Sequence, residues 1–173
     1  MNEQLSLLPN SCQKEKIIYE VKPTLSTRQI GKSGEHLVVH QLHKWDYWPG
    51  INDYVYDISV EVAPNLFAKI QVKAAPSIDA TTWPTHKGRT TEHWYVRFDC
   101  AKHEGSYKKG DFDIFAGAFL KEGKVYYEYN RIPKRSYQCP TKKIINQDPD
   151  FSKNTFDKAI KQFLEDRKNE EID

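Results

Sequence analysis

From Tyr54 to Ala75 apolar and polar residues alternate along the chain, with a break at Ala63-Pro64-Asn65. Alternation with a period of two marks β-strands and Ala-Pro-Asn is turn chemistry, so the segment predicts a hairpin of strands over 54–62 and 66–75. With the turn centred on Pro64, Val62 faces Leu66 and Asp57 faces Gln71, and directly opposed Cβ atoms lie ~5 Å apart. One face then collects Tyr54, Tyr56, Ile58, Val60, Val62, Leu66, Ala68, Ile70, Val72 and Ala74, which is apolar throughout and predicted buried. The other face carries Asp57, Ser59, Glu61, Lys69, Gln71 and Lys73.

Upstream the period changes. Ile30, Val38, Leu42 and Trp45 recur at helical spacing, predicting a helix over 27–45 capped by Ser26 or Thr27. Glu35 borders that apolar stripe. Gly31 and Gly34 flank it at a cost of roughly 1 kcal/mol each relative to Ala, which predicts close backbone approach by a sheet or a phosphate. Downstream, Trp94 to Phe98 alternates and Ile114 to Leu120 is a continuous apolar run, so both read as core strands. Val125 to Tyr129 pairs back through Lys121-Glu122-Gly123-Lys124. Residues 154–168 form an amphipathic helix with Phe156, Ile160, Phe163 and Leu164 on one side, suited to packing on a sheet or to a dimer interface.

The polar face of the hairpin is where chemistry concentrates. A hard divalent cation takes oxygen ligands and keeps several waters, and Asp57, the side-chain oxygen of Gln71 and a backbone carbonyl near Val72 supply such a set. Lys73, on the same face, suits orienting or deprotonating a metal-bound water, or neutralising charge on a phosphoryl oxygen. The same pattern also describes the wet side of an ordinary amphipathic hairpin, with Glu35 an exposed helix carboxylate paired to Lys32 or Arg28.

In chain order, Gly31-x-x-Gly34-Glu35, Tyr56-Asp57-Ile58 and Lys69-Ile70-Gln71-Val72-Lys73-Ala74-Ala75 resemble the PD-(D/E)XK nuclease superfamily, in the branch of cyanobacterial group I intron homing endonucleases and Holliday-junction resolvase-like proteins. The match covers 27–75, and Asp113-Ile114-Phe115-Ala116 leading to Tyr126-Tyr127 and Ile132-Pro133 resembles the branch's continuation. The resemblance implies an α/β, restriction-endonuclease-like core with a mixed β-sheet flanked by helices. It implies a DNA endonuclease using Mg²⁺, with Mn²⁺ as an alternative. Position by position, it makes Glu35, Asp57, Gln71 and Lys73 the catalytic set, with Asp57 and Gln71 on the metal. Two departures stand out: Tyr56 replaces the motif's proline, and Gln71 replaces its second acid. The loss of that charge weakens any second metal site and leaves open an inactive, nuclease-derived DNA-binding or replication and repair scaffold protein.

The 173 residues allow one domain with tails, divided as an arm over 1–26, a nuclease core over 27–135 and an extension over 136–173. A net charge of +2 excludes a uniformly basic binder, so a DNA surface has to be local, with Lys32, Lys87 and Arg89 the candidate phosphate contacts. Lys87 and Arg89 sit in a long polar loop over 76–93 that also holds Trp83. Cys12, Cys100 and Cys139 are odd in number, and neither a signal peptide nor a membrane-length apolar run accompanies them, which predicts a reduced, cytoplasmic protein without a membrane anchor. Cleavage of two DNA strands by a one-site chain predicts a homo-oligomer, a dimer or higher. At the N-terminus, Gln4, Leu5, Leu7 and Leu8 resemble the bacterial sliding-clamp-binding pentapeptide, which implies the clamp as a partner.

Overall fold

A computed structural model describes residues 25–52, 55–79, 95–99 and 107–170. Gln4, Leu5, Leu7, Leu8, Trp83, Lys87 and Arg89 lie outside them.

The first helix, α1 (Thr27–Lys44), begins on a capping box: the Gln29 N–H donates to Ser26 Oγ at 3.3 Å while the Ser26 N–H donates to Gln29 Oε1 at 2.9 Å. Two otherwise orphaned donors are satisfied at once. The helix stops one residue before the predicted end, with Trp45 as its cap, and Asp46 at φ 62° turns the chain away. Its buried face is Gly34, Glu35, Val38, Gln41 and Leu42.

The strands are β1 (Pro49–Ile51), β2 (Ile58–Ala63), β3 (Leu66–Ala75), β4 (Tyr95–Asp99), β5 (Ile114–Phe119), β6 (Lys124–Tyr129) and β7 (Ser136–Thr141). Five of them form one sheet in the order β1-β2-β3-β5-β6, with β3 and β5 parallel and the other pairs antiparallel. β4 and β7 pair antiparallel as a separate ribbon. With α2 (Lys142–Gln147) and α3 (Phe151–Glu170) the molecule is α/β, a mixed sheet flanked by helices, as expected.

The β2–β3 register is the predicted one from Ile58↔Ile70 to Glu61↔Phe67. At the turn it slips: a bulge sets Ala63, not Val62, against Leu66, because Asn65 takes the left-handed conformation (φ 61°) and closes a two-residue loop with Pro64. β2 also begins later than the predicted strand, at Ile58. Tyr56, expected on the same face as Ile58, instead packs against the opposite cluster.

Each sheet face has its own core. Ile58, Val60, Ile70, Val72, Ile114, Ala116, Val125 and Tyr127 meet Val38 and Leu42 of α1 and Phe156, Ile160 and Phe163 of α3. On the other face Phe115 and Phe119 meet Val96 and Phe98 of β4, Tyr137 and Cys139 of β7, and Ile145 of α2. β5, buried at every position, sits between the two. The outer edge of β6 is closed by α3: the Val125 N–H donates to Ser152 Oγ (2.9 Å) and the Tyr127 N–H to Thr155 Oγ1 (3.2 Å). Among the described residues no helix is long and apolar enough to cross a membrane.

Candidate active site

Gly34 determines where α1 lies. A Cβ built there would fall 2.4 Å from the Ala74 Cβ and 3.5 Å from Val72 Cγ1, so only glycine lets the helix settle on β3. The expected close approach is therefore to the sheet. A Cβ on Gly31 would meet nothing within 4 Å, so close approach does not account for that glycine. Seated this way, α1 brings Glu35, one residue on, to the half of β3 that carries Gln71 and Lys73.

Asp57 reaches the same place from β2. It lies one residue beyond the last ladder pair, Ile58↔Ile70, with its N–H on the Ile70 carbonyl at 3.0 Å and its carbonyl accepting from the Asn52 N–H at 2.8 Å. Backbone hydrogen bonds on both sides thus fix the start of its side chain. On β5, beside Gln71 and Lys73, stand Phe115 and Gly117. Phe115 stacks on Tyr137 with ring centroids 4.0 Å apart, and a Cβ on Gly117 would fall 2.5 Å from Phe98. The β4–β7 ribbon thus covers this face of β5. Among the described residues the buried part of that second core draws nothing from β2, and Ser59, Lys69 and Lys73 are half-buried on that side.

At the centre, Asp57 Oδ2 accepts the Val72 N–H at 2.7 Å and also a hydrogen bond from Gln71 Nε2. The same Nε2 donates to the Val72 carbonyl at 3.3 Å. Gln71, 5% exposed, therefore places one amide group between a carboxylate and a backbone carbonyl. Turning that amide over would gather three oxygens, Asp57 Oδ2, Gln71 Oε1 and Val72 O, around one point, which is a donor set suited to a small hard cation. Glu35 is 8% exposed, and its Oε2 receives Lys32 Nζ at 2.8 Å. It is thus a buried carboxylate, and the pairing with Lys32 exists as well. Among the described residues no hydrogen bond or ion pair holds the Lys73 ammonium.

Burial pushes the Asp57 carboxyl above its ordinary value; the Val72 N–H pulls it down, the Glu35 charge pushes it up, and Lys73 and Lys32 pull it down. Of the residues picked from sequence, Asp57 and Gln71 are in direct contact, while Glu35 and Lys73 bear on the Asp57 carboxylate through their charges. The geometry adds two features that alternation could not reveal. One is the hydrogen bond between Asp57 and Gln71, and the other is Lys32 as a second ammonium at the cluster. The i, i+3 spacing of Lys32 and Glu35 was the available signal for the latter. Asp113 is a further buried carboxylate, accepting the Lys69 N–H at 2.9 Å and Arg167 at 3.3 Å. It ties β3, β5 and the end of α3 together. Among the described residues no group of three or more His, Cys, Asp or Glu side chains could hold a metal ion, and the cluster's oxygens come instead from Asp57, the Gln71 amide and a main-chain carbonyl.

No family model matches the chain, and no curated protein matches it. Among solved structures the chain is similar to a bacterial homing endonuclease, I-Ssp6803I, with a TM-score of 0.45 and 16% sequence identity over 72% of this chain and 85% of that one.

Proposed function

We propose that the chain is a DNA endonuclease of the PD-(D/E)XK type, hydrolysing phosphodiester bonds at Glu35, Asp57, Gln71 and Lys73. The observation that carries this reading is the gathering of a buried amide, a half-buried carboxylate, a second carboxylate and an ammonium that no hydrogen bond or ion pair engages among the described residues. That set has the parts phosphodiester hydrolysis needs: oxygens for a cation, and a positive group to receive developing charge.

Asp57, the Gln71 amide oxygen and the Val72 carbonyl would hold Mg²⁺, or Mn²⁺ in its place. When bound, the ion supplies Lewis-acid polarisation of the scissile phosphate and a more acidic water. The protein's own residues do the rest. The Val72 N–H fixes the Asp57 carboxylate, the Gln71 amide bridges that carboxylate to the Val72 carbonyl, and Lys73 orients the attacking water or neutralises the phosphoryl oxygen. Glu35, engaged by Lys32, orients the cluster from the helix side.

Cleavage of supercoiled plasmid and of branched DNA with Mg²⁺ tests the assignment. Asp57→Ala and Lys73→Ala are each expected to lower the rate by on the order of 10²-fold or more, without loss of the folded state. Unchanged cleavage in both variants refutes the site. Binding of DNA without cleavage by the parent chain would instead favour the scaffold reading, in which the neutral Gln71 has cost the site its activity.

A further inference from the structure

We propose that Lys32 stands in for a second metal ion, so that the endonuclease site takes a single divalent cation per chain. The inference rests on the endonuclease reading and concerns its charge balance. A site of this kind with three acids can hold two divalent ions, whose four positive charges offset the acids and the phosphate. Here Gln71 is neutral, which leaves two carboxylates, Glu35 and Asp57. Against them stand two ammonium groups, Lys32 and Lys73.

Lys32 is specifically placed. Its Nζ lies 2.8 Å from Glu35 Oε2, and Glu35 is nearly buried, so an oxygen that a second ion would use already receives a cation. The same ammonium acts on the Asp57 carboxylate. Lys32 itself is about half exposed on α1, one turn before Glu35, and reaches the cluster from the helix side, whereas Lys73 comes from β3. The two lysines therefore bracket the carboxylates from two elements. With Glu35 neutralised in this way, the remaining oxygens around the Gln71 amide make one cation position.

Mn²⁺ titrated into the full chain without DNA, followed by calorimetry and by the electron paramagnetic resonance signal of free Mn²⁺, counts the ions directly. The parent and Lys32→Arg are expected to bind one ion. Lys32→Gln is expected to bind two, with the first bound roughly three- to tenfold tighter because a repelling charge is gone. Lys73→Gln also removes a positive charge and is expected to keep one ion, which separates a place-holding lysine from a general change in charge. Circular dichroism checks that each variant is folded, and the half-exposed Lys32 carries no core packing. One ion in Lys32→Gln, two in the parent, or two in Lys73→Gln overturns the proposal while leaving the endonuclease reading intact. A folded parent that binds no ion and cuts no DNA overturns both.

Discussion

Asp57 is held in a form that the fold disfavours. Burial raises its carboxyl pKa, so the native state binds its proton more tightly than the unfolded chain does. Stability therefore falls as pH rises from the unfolded value through the raised native one. Asparagine has no such penalty and keeps an oxygen for the Val72 N–H. Asp57→Asn is thus expected to raise the thermal midpoint at pH 7 while removing cleavage, and to lose its advantage below about pH 4, where aspartate is protonated in both states. Thermal scans at the two pH values check this, and a variant less stable than the parent at pH 7 would contradict it.

At the scale of elements, the contact between α1 and β3 decides whether the site exists. Gly34→Ala gains helix propensity of roughly 1 kcal/mol. It also drives a methyl group into Ala74 at 2.4 Å, and overpacking of that kind typically costs about 1–3 kcal/mol. The expected outcome is a destabilised chain with its Glu35 displaced and its cleavage rate lowered, and both are expected to recover in Gly34→Ala with Ala74→Gly. Denaturant titration of the single and double variants measures the coupling, and additive effects would show that the two residues do not meet as described. This contact was only half legible in the sequence. The glycine's cost to a helix was visible, but its partner, 40 residues on, was not. The hairpin was legible because alternation is local and Pro64-Asn65 forces a turn. β1 was not, since Pro-Gly-Ile is too short to alternate. In β7 Tyr137 and Cys139 do alternate with polar neighbours, but Pro140 argues against a strand, and only the pairing with β4 shows that it is one. The four candidate residues could be picked out because order and spacing need no knowledge of packing, whereas the hydrogen bond from Gln71 to Asp57 depends on rotamers no pattern encodes.

Across the whole molecule, one sheet serves two cores, and β5 belongs to both. Loss of either core exposes the other through the same strands, so unfolding is expected to be a single transition. Phe156 is fully buried among Trp45, Tyr47 and Tyr127, with ring centroids 5.1 to 5.4 Å away. Phe156→Ala is expected to cost about 3–5 kcal/mol, a large part of the roughly 5–15 kcal/mol that holds a domain together. Coincident urea transitions by far-ultraviolet circular dichroism and tryptophan fluorescence test the single transition; separated midpoints would mean that the cores melt independently. The hydroxyls of Ser152 and Thr155 have one more effect at this scale. By consuming the Val125 and Tyr127 amides of β6 they leave an incoming strand a broken ladder there, which obstructs lateral growth of the sheet into filaments or swapped dimers along that margin.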